Sequence, residues 1–188
     1  MNRPVLAFAA TALALIASPI WADEVTDTLQ SAISAYEEGD LTYALEEMAY
    51  AKQLIDTKKA DALQGFLPPA PDGWTREMDT EMSAGMAMFG GGIGASAEYM
   101  SPDGDEQITL TIMAGNQMVM AFGGMMGNAA AMGAKIERVG REKFMLKDGE
   151  LTSVIDNKVM VQASGGEPAQ MIGLLEQIDF RALGDVSG

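Results

Sequence analysis

The sequence predicts an α+β protein: an N-terminal αα-hairpin followed by a mainly antiparallel sheet with two packed helices. Three observations predict it. Apolar residues recur at three- and four-residue intervals over 23–65, the spacing of helix faces. Short alternating runs separated by turn formers follow from Ile93 onward, the spacing of half-buried strands. Two further stretches, one from Asn116 through Met132 and one opening at Glu167-Pro168, return to helical spacing.

At the N-terminus, Arg3 precedes an uncharged apolar run from Val5 to Ile20, which ends in Pro19-Ile20-Trp21-Ala22 before the acidic Asp23-Glu24. A positive first segment, a short apolar core and a small residue at a cleavable junction predict a signal peptide over 1–22 and a periplasmic or secreted protein. The rival is an uncleaved anchor, for which the apolar run is short. After cleavage no transmembrane segment is expected.

The helical hairpin is expected over 23–65. Val25, Leu29, Ala32, Ile33 and Tyr36 share one helical spacing, and Leu41, Ala44, Leu45, Met48, Ala51, Leu54 and Ile55 share a second. Gly39 can close the first helix and Asp40 can cap the next. Glu37-Glu38 and Glu46-Glu47 fit outward faces.

Tyr36, Gly39-Asp40, Ala44, Met48 and Ala51 resemble the pattern of a tetratricopeptide repeat. The closing Pro of that family is missing, since Asp56-Thr57-Lys58 stands in its region, and no second copy follows. One such unit cannot build a peptide groove, because repeats of this kind need stacked neighbours. The expectation is therefore a hairpin packed on the next domain or on a second copy, which makes it a candidate homodimer surface.

Phe66-Leu67-Pro68-Pro69-Ala70-Pro71-Asp72-Gly73 reads as a short, stiff linker over 66–73. Trp74 then opens an α+β sandwich domain expected over 74–183, with 184–188 as a tail. Met78, Met82, Met86 and Met88 follow at partly helical spacing until Gly90-Gly91-Gly92. Ile93 to Tyr99 and Ile108 to Ile112 alternate around the turn cluster Ser101-Pro102-Asp103-Gly104-Asp105-Glu106, which predicts a β-hairpin. The helix from Asn116 is apolar on every face and is expected to be covered all round. Ile136–Val139, Lys143–Lys147, Leu151–Ile155 and Val159–Gln162 predict a meander with turns at Asp148-Gly149 and Asp156-Asn157. A final helix carries Met171, Leu174, Leu175 and Ile178 on one face.

This order, with its opening Pro71, Gly73-Trp74 and its C-terminal helix after a meander, resembles the PsbP-like family over about Pro71 to Leu183. The resemblance implies an α/β sandwich and a non-catalytic accessory or binding role. It carries no diagnostic motif.

Composition narrows the chemistry. Twelve Lys+Arg against 27 Asp+Glu give a net charge of −15, which repels nucleic-acid phosphates. With no Cys and no His there is no thiol nucleophile, disulfide, imidazole base or ordinary zinc or haem site. No catalytic constellation is recognisable, so no enzyme is expected. Gly90-Gly91-Gly92-Ile93-Gly94-Ala95 satisfies a dinucleotide fingerprint formally, but it opens a strand where the fingerprint requires a helix. Asp103-Gly104-Asp105-Glu106 offers oxygen ligands without the further positions of a calcium loop, and reads as a solvated hairpin tip.

The unusual chemistry is methionine: 16 of 188 residues, concentrated in two uncharged Met/Gly segments that flank the β-hairpin. Met82, Met86, Met88, Met118, Phe122, Met125 and Met126 form the candidate surface for a protein partner or an apolar small molecule. Thioether side chains are adaptable and re-pack around varied apolar partners. On this reading no cofactor is needed. The alternative is a Cu(I)-handling protein in which Met82, Met86, Met88, Met118 and Met120 supply soft ligands. The glycines Gly123, Gly124, Gly127 and Gly133 weaken a helix kept only for burial, so Met113 to Ala134, with Met82 to Gly94 beside it, is expected to act as a movable apolar cover.

Overall fold

The computed structural model describes residues 23–79, 82, 92–115 and 117–186. The expected signal segment 1–22 and the candidates Met86 and Met88 lie outside the described residues, and of Met118 only the backbone is described. The architecture is an N-terminal helix pair and a seven-stranded antiparallel sheet with further helices, as the apolar spacing predicts.

Helices α1 (Glu24–Glu38) and α2 (Leu41–Gln64) form the hairpin. Asp23 caps α1 by accepting from the Thr26 amide at 3.1 Å, and Asp40 caps α2 by accepting from the Tyr43 amide at 3.0 Å. Gly39 lies between them at φ 85°, the left-handed closure that the Gly-Asp pair announces. The two helices approach through small side chains, with Thr28, Ala32 and Ala35 buried on α1 and Ala44 and Ala51 buried on α2.

The hairpin is anchored to the sheet by the second half of α2. Ala60, Leu63 and the following Leu67 belong to the same buried cluster as the strands. The Pro-rich stretch seals this junction instead of spacing two bodies. Tyr99 Oη donates to the Pro68 carbonyl at 2.7 Å, and Arg76 Nη1 donates to the Leu67 and Pro68 carbonyls at 3.0 and 2.9 Å. Proline has no amide donor but keeps its carbonyl, and that carbonyl is the handle used here.

The strands are β1 (Thr75–Asp79), β2 (Ile93–Met100), β3 (Gln107–Ala114), β4 (Lys135–Val139), β5 (Glu142–Lys147), β6 (Glu150–Ile155) and β7 (Val159–Ser164). Their order across the sheet is β1-β2-β3-β7-β6-β5-β4, antiparallel throughout. Met78, read from spacing as the start of a Met-rich helical run, instead sits in β1 opposite Ala97. The meander turns use the predicted residues: Asp148 and Gly149 have φ 52° and 83°, and Asp156 and Asn157 have φ 49° and 57°. Successive positive φ values match the strand twist; the β5–β6 hairpin has two residues between paired Lys147 and Glu150, and the β6–β7 hairpin three between paired Ile155 and Val159.

Period-two alternation gives the sheet two faces. One carries Tyr99, Leu110, Phe144, Leu151, Val161 and their neighbours, all fully buried beneath α2, α4 (Pro168–Leu175) and α5 (Phe180–Val186). Helix α4 opens as expected, with Pro168 in its first turn and a capping box between Glu167 and Gln170. It then stops at Leu175, and Asp179 starts α5 by accepting from the Arg181 and Ala182 amides at 3.1 and 3.0 Å. The last helix therefore runs on to Val186, through the first part of the stretch read as a tail. Ile178, expected on the face of one long helix, is buried in the break between the two.

Candidate binding site under the methionine-rich helix

The second sheet face is built differently. Along β3 it presents Thr109, Thr111 and Met113; along β7, Met160, Gln162 and Ser164; along β6, Glu150, Thr152 and Val154; along β5, Met145 and Lys147. Helix α3 (Gln117–Met126), followed by a 3₁₀ turn at Ala129–Met132, covers one end of this face. Buried Met113, Val119 and Met160 form a small second core there, against which Met82, Phe122 and Val154 pack.

Beside this core lies a cavity of about 310 Å³, roofed by Phe122 and Met125 and floored by Met145, Thr152 and Met160, with Lys147, Asp148, Glu150 and Gln162 at its edge. The volume is at the small end of the range for ligand pockets. Gln162 Nε2 donates to Glu150 Oε2 at 2.8 Å, and the Lys147 ammonium stands 4.0 Å from Asp148. Three thioethers and a phenyl ring thus provide an apolar interior, while a cation, two carboxylates and an amide provide a polar rim.

The methionines proposed from sequence separate into distinct groups. Met82 joins the second core, Phe122 bridges that core and the cavity, and Met125 lines the cavity while 43% exposed. Met126 is half-buried at the end of α3 and does not line the cavity. Met120, proposed as a thioether ligand, is 68% exposed and lines neither the core nor the cavity. Met113, expected at the start of the movable cover, is instead a buried residue of β3, because strand pairing with β7 extends to Ala114. Sequence reasoning missed Met145 and Met160, which fall on the less apolar alternation of their strands, out of phase with the main-core residues.

Helix α3 is not covered all round as its composition suggests. Val119 is 1% exposed while Met120 and Met125 are 68% and 43% exposed, so among the described residues the helix is buried on the Val119 side and open at Met120. Its glycines also differ. A side chain at Gly123 would press on the Asn157 amide oxygen at 3.2 Å, so close approach to the β6–β7 turn explains that residue. Gly133 has φ 73°, a backbone that favours glycine. At Gly124 and Gly127 an added methyl group would meet nothing within 4 Å among the described residues, and φ is not positive, so neither packing against those residues nor turn geometry requires glycine.

Elsewhere the sequence candidates have local explanations. At the β2–β3 tip, Ser101 Oγ donates to Asp103 at 2.5 Å and accepts from the Glu106 amide at 3.1 Å. The Ser101 hydroxyl and the Asp105 amide hold the Asp103 carboxyl below its usual pKa. Gly94 lies in β2, where a side chain would touch Met82 Cγ at 3.4 Å, so glycine at this position lets the backbone lie against methionine. Among the described residues, no three His, Cys, Asp or Glu side chains gather as a metal-binding group, and no helix is long and apolar enough to cross a membrane. Compared with protein-family models, curated proteins and solved structures, the chain has no match.

Proposed function

We propose that this is an exported, non-catalytic binding protein that takes an apolar ligand, or an apolar segment of a protein partner, into the groove between α3 and the second sheet face. The observation that carries this reading is the lining: Phe122, Met125, Met145 and Met160 around one cavity, with Lys147, Asp148, Glu150 and Gln162 at its mouth. Flexible thioethers adapt to varied apolar shapes. The polar rim suits an occupant with an apolar body and one polar end. Export rests on the charge and hydropathy of residues 1–22, and the mass of the protein recovered from the periplasm tests it.

Titration with the neutral fluorescent probe N-phenyl-1-naphthylamine tests the groove, neutrality being chosen because the protein carries a charge of −15. Saturable binding at one site is expected. The double substitution Met125→Lys, Met145→Lys should abolish it, while Met120→Lys, on an exposed residue outside the cavity, should leave it unchanged. Equal binding by all three proteins would refute the groove.

A second reading is favoured by the same lining. Met125, Met145 and Met160 border one cavity, and Met82 and Met113 pack with Met160 in the adjoining core, so five methionines lie at this end of the sheet, which supports a thioether site. Such ligands select Cu(I) and carry no proton to lose at low pH. Competition against a Cu(I) chelator separates the two readings. Copper handling requires retention that survives acid and is lost in Met145→Leu, Met160→Leu, a change that preserves apolar volume and should leave the neutral probe bound.

A further inference from the structure

Among the described residues, most of the large apolar side chains left exposed lie on the helical hairpin, away from the groove. Leu29, Ile33 and Tyr36 on α1 are 42%, 51% and 68% exposed; Leu41, Leu45 and Met48 on α2 are 58%, 66% and 56% exposed. The ordinary arrangement, large apolar residues between helices and polar ones outside, is inverted here. The helices touch through Thr28, Ala32, Ala35, Ala44 and Ala51, and the large side chains look outward.

Helix geometry places both rows on one face. At 3.6 residues per turn, the α1 row leads the buried line Thr28, Ala32, Ala35 by one position, about 100°. On α2, Leu45, Leu41 and Met48 stand about 100°, 60° and 40° from Ala44, all to the same rotational side. In an antiparallel pair, rotations of the same sense from facing lines bring both rows to the same side. The opposite side is more polar: Tyr43 and Tyr50, each 45% exposed, engage polar partners there, Tyr50 Oη donating to Glu24 at 2.7 Å and Ser31 Oγ lying 3.5 Å from Tyr43 Oη.

We infer that this face is the interface with a second copy of the chain, docked antiparallel about a two-fold axis near Leu45 and Met48. Two features select that occupant and that direction. First, Leu41, Leu45, Met48, Lys52 and Ile55 follow alternating four- and three-residue spacing, the seam pattern by which one helix meets another. Second, the charge is ordered along the seam. Residues 23–51 contain acids and no Lys or Arg, and Glu37, Glu38 and Asp40 crowd the turn, whereas Lys52, Lys58 and Lys59 follow on α2, outnumbering Asp56 and Asp61 among them. A parallel copy would set acidic turn against acidic turn. An antiparallel copy sets each turn beside the other's lysines, and a two-fold axis makes the contact self-complementary. Within one chain Lys52 already pairs with Asp56 and Lys58 with Asp23, both exposed, so these lysines stand at the surface with room to reach a second carboxylate.

Sedimentation equilibrium of the intact mature protein tests the inference. A dimer at micromolar concentration is expected. Ile33→Glu with Leu45→Glu should raise its dissociation constant more than about 30-fold, the loss typical of a central interface anchor. Because both side chains are exposed, the circular dichroism and melting curve of the monomer should be kept. A charge exchange tests the direction without touching the apolar face: Lys52→Glu should weaken the dimer, and adding Glu37→Lys and Glu38→Lys should restore it. A wild-type monomer at these concentrations, as when another segment of the same chain covers the face, would overturn the inference. So would a dimer indifferent to Ile33→Glu and Leu45→Glu. Failure of the charge exchange to restore association would overturn the antiparallel arrangement. The groove lies on another part of the molecule, so probe binding should survive in every variant.

Discussion

Adjacent residues of a single strand serve different purposes on the two faces of the sheet. On β3, Leu110 is fully buried against the helices of the first face, while Thr111, its neighbour, points to the second face and lies 3.1 Å from Ser96 Oγ. The first face is dry, aliphatic and closed by α2, α4 and α5. The second mixes hydroxyls, amides and charges with thioethers, and α3 covers only one end. Stability thus resides in one alternation of the strands and the candidate site in the other. A strand can carry a binding floor at little cost when its opposite alternation already fills a core.

The sharpest way to break this contrast is to truncate the two neighbours. Leu110→Ala should lower unfolding free energy by about 2–5 kcal/mol, the usual cost of emptying a filled core site. Thr111→Ala should cost about 1 kcal/mol or less, the worth of one hydrogen bond. Urea unfolding of both variants measures the difference, and equal losses would mean that the faces are not distinct.

A smaller effect is expected where the hairpin meets the first face. Tyr99→Phe removes the donor to the Pro68 carbonyl, which still accepts from Arg76, so the loss should be about 1 kcal/mol. Burial pushes the Tyr99 phenol up to about 12 from its ordinary 10.0. The folded state therefore favours the neutral phenol. That contribution is complete below pH 10 and is lost as pH rises towards 12. Melting curves across this window should fall more steeply for wild type than for Tyr99→Phe.

On the second face the sign reverses. Gly124→Ala should stabilise the protein by about 0.5–1 kcal/mol, because an alanine methyl fits in open space and helix entropy is regained. If α3 opens to admit a ligand, the same change should slow probe association. Smallest of all, Met120→Lys should move stability by less than about 0.5 kcal/mol, as expected at an exposed site without partners in either core.

Much of the fold was legible because local signals agreed. The Gly39-Asp40 junction, the Asp148-Gly149 turn and Pro168 each allow few backbone conformations, and alternation marked the inward residues of β2 and β3. Other features depend on tertiary distance. Spacing grouped Met78 with Met82, yet Met78 pairs with Ala97 in β1, because strand pairing outweighs a weak local helical pattern. The break at Asp179 was readable as a cap in retrospect, but an apolar row continuing to Ile178 masked it. The site was half legible. Met82, Phe122 and Met125 were visible as a run of similar residues. Met145 and Met160 join them only through the β5-β6-β7 register, which no single stretch of sequence encodes.

The central claim is that α3 is a weakly held cover over a binding groove, and hydrogen exchange with and without N-phenyl-1-naphthylamine tests it most directly. Amides from Gln117 to Ala134 should exchange well before those of β3 and β7, since α3 is open at Met120 and carries Gly124, which packing against the described residues does not require. Saturating probe should slow exchange in that segment while leaving β3 unchanged. If Gln117 to Ala134 instead exchanges as slowly as β3 and is unaffected by the probe, the helix is ordinary core and the account of the groove is wrong.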